Sequence, residues 1–261
     1  GQLLGLHLNP SKCEIISSHF DPTRYPQFAG FQQVPPNSAT LLGAPLSTDS
    51  AMEATLTSLH NSLKRAVNRL RLLSSHDALV LLKNSLGGPK LQYVLRASPC
   101  CDHPLLSQID DTLKSAITQI CNVTLSDDQW AQANLPVRAG GLGIRSVSML
   151  ASSAYLASAA GTRTLQTRIL EKCEGAEEDI SNSMAHWTSL AGPQAPANLH
   201  ESSQRIWDSA IAGKAFQSLL DSKTTPLDRA RLLAGAAAHS GDWLHALPIS
   251  ACGLHLNDEA V

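Results

Sequence analysis

The sequence predicts a mainly α protein that opens with a small β-containing region. Apolar residues recur at alternating steps of four and three from Met52 to Leu73, the seam of one long helix. Ahead of that seam the apolar runs are short and broken by Pro10, Pro22, Pro26, Pro35 and Pro36, which suits brief strands and tight turns. Beyond it, segments of helical length alternate with capping or Gly/Pro signals. Leu41-Leu42-Gly43-Ala44-Pro45-Leu46 is the joint between the two regimes: a strand that ends in a turn, where Gly tolerates positive φ and Pro cannot continue a ladder.

Taken in order, Leu3 to Leu8 is apolar and Asn9-Pro10 forces a turn, with Lys12 just after it. Cys13 to Ser17 reads as a strand, Phe31 to Val34 as part of a loop or ragged hairpin, and Thr40 to Gly43 as a closing strand. The first helix is expected over Asp49 to Leu73, with Asp49, preceded by Ser47 and Thr48, supplying the capping chemistry. Ser74-Ser75 breaks the chain before a helix over His76 to Leu86, which Gly87-Gly88-Pro89 ends, and Lys90 to Ala97 follows. Leu105 to Cys121 carries a stripe of Leu105, Ile109, Leu113, Ile117 and Ile120, and Ser126-Asp127-Asp128-Gln129 has the form of a capping box.

The glycines of Leu135 to Arg145 make that stretch a link rather than a regular element. Ser146 to Ala160 predicts a helix whose Ala and Ser residues permit close approach. Further helices are expected near Thr164 to Cys173, Glu177 to Leu190, Glu201 to Leu220 and Pro226 to His239, with the polar stretch Ala191 to Leu199 among them. The expected divisions are residues 1–47, 48–160 and 161–261. One pentapeptide occurs twice, Gly5-Leu6-His7-Leu8-Asn9 and Gly253-Leu254-His255-Leu256-Asn257; without longer flanking similarity, chance is the simpler reading.

Composition narrows the function classes. A formal net charge of −2 gives no overall nucleic-acid signature, so any basic surface must be local. The six cysteines form no C-x-x-C pair and read as reduced, which places the chain inside the cell, in cytoplasm or nucleus. No apolar run suggests a membrane span or a signal peptide. The start at Gly1 and the helix-like ending Asn257 to Val261 suggest a piece of something longer.

Gly5-Leu6-His7-Leu8-Asn9-Pro10-Ser11-Lys12-Cys13-Glu14, followed by Leu41 to Leu46, resembles motifs D and E of reverse transcriptases from non-LTR (LINE-type) retrotransposons. Similarity extends through His76 to Leu79, Pro89 to Arg96, Leu135 to Ser146 and Trp243 to Pro248. The resemblance implies the end of a polymerase palm at residues 1–47, a helical thumb at 48–160 and a helical connecting region at 161–261. It implies partners as well: an RNA template and DNA primer duplex, and the upstream palm and fingers of the same polyprotein.

Such enzymes transfer nucleotides with Mg²⁺ held by palm aspartates, and the motifs carrying those aspartates precede motif D. The resemblance therefore implies a chain that is catalytically incomplete alone, with no cofactor of its own. Lys12 matches the motif D lysine, an accessory general acid toward the departing pyrophosphate; a solvated turn lysine is the plain alternative. Leu42 and Gly43 match the primer grip.

On the first helix, His60, Lys64, Asn68 and Arg71 are expected together opposite the leucine seam, with Arg65 and Arg69 on the flank. That face suits phosphate contact, and Lys83, Lys90 and Arg96 could extend it; a merely solvated face is the alternative. The pairs Asp110-Asp111 and Asp127-Asp128, with Glu177-Glu178-Asp179, read as structural. Cys100-Cys101-Asp102-His103 lacks metal-ligand spacing, and the Gly140 to Gly143 run reads as a turn. A non-enzymatic nucleic-acid-binding module and an inactive transposon relic remain the other readings.

Overall fold

The computed structural model describes residues 5, 7–170, 180–192 and 202–261. Expectations at Leu3, Leu4, Leu6, Glu171 to Asp179 and Pro193 to Glu201 lie outside the described residues. The chain is mainly α with a few short strands and divides into two compact units, residues 1–55 and 56–261.

In the first unit, the 3₁₀ turn Pro10–Lys12 is capped by Asn9, whose side chain accepts from Ser11 N at 3.2 Å. Strand β1 (Glu14–Ile16) pairs with β2 (Gln32–Val34) in parallel, with Ile15 opposite Gln33. Of the expected loop or ragged hairpin, neither describes this pairing: the intervening proline-rich loop carries the chain back to the starting end of β1, so β2 runs beside it in the same direction. Thr40 to Gly43 does not close that sheet either. Strands β3 (Thr40–Leu41) and β4 (Ala44–Pro45) form their own hairpin around Leu42 and Gly43, with φ of 51° and 82°. Two consecutive positive φ values suit a two-residue turn whose twist matches that of the strands.

The second unit is helical. It contains the body of α1 (Ser50–Leu70), then α2 (Ser75–Leu81), α3 (Gly88–Ala97), α4 (Leu105–Ile120), α5 (Asp127–Ala133), α6 (Val147–Leu170), α7 (Ser181–Ala191), α8 (Gln204–Ser222) and α9 (Pro226–Gly235). Ser74 starts α2 by accepting from Asp77 N, and a π turn over Leu82–Leu86 follows that helix. Gly88 and Pro89 open α3 rather than merely ending the segment before it, because Pro in the first turn needs no amide partner. At α5 both halves of the capping box form between Ser126 and Gln129.

Helix α6 is the axis of this unit, with α3, α4, α7 and α8 packed against it. Leu150 to Ala157 are buried without interruption, which ordinary amphipathic helices do not show. Ala151, Ser152, Ser153, Ala154 and Ala157 make this possible by letting neighbours approach closely. The helix runs past Ala160 to Leu170, beyond its expected end, and residues 161–165 are exposed. On one flank Trp187 and Trp207 meet edge to face at 5.1 Å, and Trp187 Nε1 donates to Trp207 O at 3.2 Å. Leu156, Ala157 and Ile211 complete that cluster.

The start of α6 is held by Asp110 of α4. Its carboxylate accepts from Val147 N at 2.6 Å, Ser146 Oγ at 2.7 Å and Ser148 N at 3.2 Å. Burial raises the Asp110 carboxyl above its ordinary value, and the Ser146 and backbone donors oppose that rise. Nearby, Arg145 donates to Asn134 O and pairs with Asp208 of α8 at 2.5 Å. These two contacts position both ends of the glycine link. Within it Gly140 has φ of 80°, and a Cβ at Gly141 would collide with the carbonyls of Leu135 and Gln132.

Asp110→Ala should lower unfolding stability by about 1–3 kcal/mol, because three donors at a buried helix start lose one acceptor. Asp110→Asn keeps an acceptor and should lose less. Urea titration of the three chains checks the order.

Candidate nucleic-acid interface

The candidate face is the exposed side of α1 from Lys64 onward. Met52, Leu56, Leu63 and Leu70 are buried as the seam requires, yet Leu59 is only half-buried and Leu73 lies beyond the helix end, 46% exposed. A strict seven-residue repeat drifts around a straight α-helix by about 20° per heptad, so the buried arc moves off the seam. Val67 takes the vacated inner position.

His60 is the principal correction. It stands four residues after Leu56 and three before Leu63, which places it beside both on the same side of the helix. It is 4% exposed, and its Nε2 lies 2.9 Å from Thr112 Oγ1 of α4. Burial first, and the Lys64 ammonium second, hold its imidazole below the ordinary histidine value. His60 therefore belongs to the α1–α4 contact and not to the basic face.

Lys64, Arg65, Asn68, Arg69 and Arg71 are exposed. From Leu56 to Arg71 the chain has no acidic residue. Among the described residues none of the four cations is paired with a carboxylate. Lys64 and Asn68 line a shallow groove of about 350 Å³, shared with Asp111, Thr112, Ser115 and Gln119 of α4. Arg71 lines a more enclosed recess of about 270 Å³ with Ser75, Gln119 and Asp258. Asp111 and Asp258 limit the positive field at these two edges, leaving Arg65 and Arg69 on the open side.

The other predicted residues are dispersed. Lys90 is half-buried in the first turn of α3 and Arg96 is exposed in its last turn; the principal neighbour of that helix is α6. Lys83 does not extend the basic face: its ammonium donates to Leu244 O at 2.6 Å, and burial lowers its pKa. In the first unit, Lys12 is exposed at the end of the 3₁₀ turn ahead of β1, while Leu42, 88% exposed, and Gly43 form the tip of the β3–β4 hairpin.

Asp111 lines the groove beside Lys64, and the other three paired acids have structural partners. Asp110 caps α6, Asp127 pairs with Lys114 at 2.9 Å, and Asp128 with Lys223 at 2.6 Å. No group of three or more His, Cys, Asp or Glu side chains among the described residues could hold a metal ion. These acids thus do not fit a Mg²⁺ pair. Cys100 and Cys101 are buried, and burial pushes the Cys100 thiol up to about 12, far from a reactive thiolate. Among the described residues no helix is long and apolar enough to cross a membrane.

The contact of the C-terminal segment with α2 is not foreshadowed in the sequence. Leu256 N donates to His76 Nδ1 at 3.0 Å, and His255 Nε2 lies 3.1 Å from Ser74 Oγ and 3.4 Å from Asp77 Oδ2. No local pattern signals pairing across such a separation. The role of Asp110 did leave a trace, since it falls between Leu106 and Leu113 on the apolar stripe of α4. The chain matches no family model, no curated protein and no solved structure.

His60→Gln should separate burial from charge. A histidine whose folded pKa is depressed contributes stability above its unfolded value of 6.5 and loses it as pH falls below 6.5. The stability of wild type relative to His60→Gln should therefore fall between about pH 7 and pH 5.5. Arg65→Gln and Arg69→Gln should stay within about 0.5 kcal/mol of wild type at pH 7. Urea midpoints across that range test both statements.

Proposed function

We propose that this chain is the duplex-holding part of a non-LTR retrotransposon reverse transcriptase: the end of its palm, its thumb and a following helical region. In this reading the chain grips primer and template through phosphate contacts and leaves the nucleotide chemistry to upstream palm carboxylates. The observation that carries the proposal is the open cationic face of α1, Lys64, Arg65, Arg69 and Arg71, without carboxylate partners among the described residues.

Two further features support it. The Asn-Pro turn that delivers Lys12 and the exposed Leu42-Gly43 hairpin occur in the order of motifs D and E. Asp110, Asp127 and Asp128 of the helical unit have structural partners, in keeping with a segment that binds rather than reacts. A charged face of this kind reads no sequence, since phosphate contacts position a duplex without specifying bases. Lys12 is assigned the accessory proton-donor role only in the whole enzyme. A non-enzymatic binding module would use the same α1 face.

The test is binding of the full chain to an RNA–DNA primer–template duplex over a salt series. Each lost phosphate contact reduces the log–log salt slope by about 0.9. Neutralising Lys64, Arg65, Arg69 and Arg71 together to Gln should flatten the slope by about 2–4 and weaken binding at least tenfold at low salt. Unchanged affinity and slope in the quadruple variant would remove the proposal.

A further inference from the structure

The repeated pentapeptide acquires a physical meaning in the structure. Its C-terminal copy, Gly253 to Asn257, lies against α2, where His255 meets Ser74 and Asp77 and the Leu256 amide donates to His76 Nδ1. The His76 and His255 rings are 5.8 Å apart. Gly253 enters this arrangement with φ of 69°. The N-terminal copy has the same sequence, and Gly5 has φ of 67°, the same left-handed backbone that glycine alone adopts without strain. Its Gly5, His7 and Leu8 are all exposed, with Leu8 at 71%.

We propose that the face of α2 around His76 is a recognition site for this pentapeptide, and that its second occupant is the N-terminal copy of another molecule of this chain. This site is independent of the nucleic-acid reading. His7 would take the place of His255 on Ser74 and Asp77, and the Leu8 amide that of Leu256 on His76 Nδ1. The two copies differ at the next residue. Asp258 Oδ1 accepts from Ser75 N at 2.7 Å, whereas Pro10 follows Asn9 and supplies no acceptor there.

The resident copy therefore has one contact more. It also acts at an effective concentration of about millimolar, as tethered segments do. Wild type at micromolar concentration stays closed on itself, and exchange appears once the resident copy is weakened. His255→Ala weakens it without touching the N-terminal copy or the α2 face.

Sedimentation equilibrium of the full chain tests this. His255→Ala should dimerise in the micromolar range, at least tenfold more tightly than wild type. The double variant His7→Ala/His255→Ala should return to monomer, as should His255→Ala with millimolar acetyl-Gly-Leu-His-Leu-Asn-amide added. His7 is exposed, so its loss leaves the fold intact. A monomeric His255→Ala chain, or a dimer insensitive to both His7→Ala and the peptide, would overturn the proposal.

Discussion

A helix surrounded by neighbours can carry little polar surface, and its first amides must still find acceptors. Both demands meet at α6. Its buried middle is made of Ala, Ser and a few large residues, so α3, α4, α7 and α8 can lie against it together. Its first turn is satisfied by a carboxylate from a different helix, Asp110, which also binds the Ser146 hydroxyl. The register of α4 against α6 is thereby tied to a hydrogen-bonded point rather than to apolar packing, which is non-directional. Arg145, one residue before that point, carries the same fixation to α8 through Asp208.

This constraint explains how the helical unit presents the candidate face. With α4 fixed on α6, the contact of α1 with α4 is made partly by the His60–Thr112 pair. Burying His60 and Val67 on that side leaves Lys64, Arg65, Asn68, Arg69 and Arg71 exposed. The basic face is thus the remainder of a packing solution: the same rotation that draws His60 inward carries the cations to solvent. Its edges meet Asp111 and Asp258, so the positive field is concentrated on the side of Arg65 and Arg69.

Much of the helical order was legible because local signals carry it. The Ser126–Gln129 capping box formed in full, Ser74 began α2, and Leu105, Ile109, Leu113 and Ile117 of the α4 stripe are buried, while Ile120 at its end is only half-buried. Failures arose where long-range contacts decide. A parallel pairing of β1 with β2 has no turn signature, so Phe31 to Val34 suggested a loop or ragged hairpin instead. A helical wheel groups His60 with the cations when the buried seam is taken as the Leu56, Leu59, Leu63 line alone, although its spacing to Leu56 and Leu63 sets it beside both. Lys83 read as one more surface cation, while its partner, Leu244 O, lies far along the chain.

The central proposal is that the exposed side of α1 holds a primer–template duplex. Acetylation of lysines in the full chain, with and without an RNA–DNA primer–template duplex at low salt, tests it most directly. Lys64 should become several-fold less reactive when the duplex is bound, while Lys214 on α8, exposed and donating to Ser189 O, keeps its reactivity. Equal reactivity of Lys64 with and without bound duplex would contradict the account.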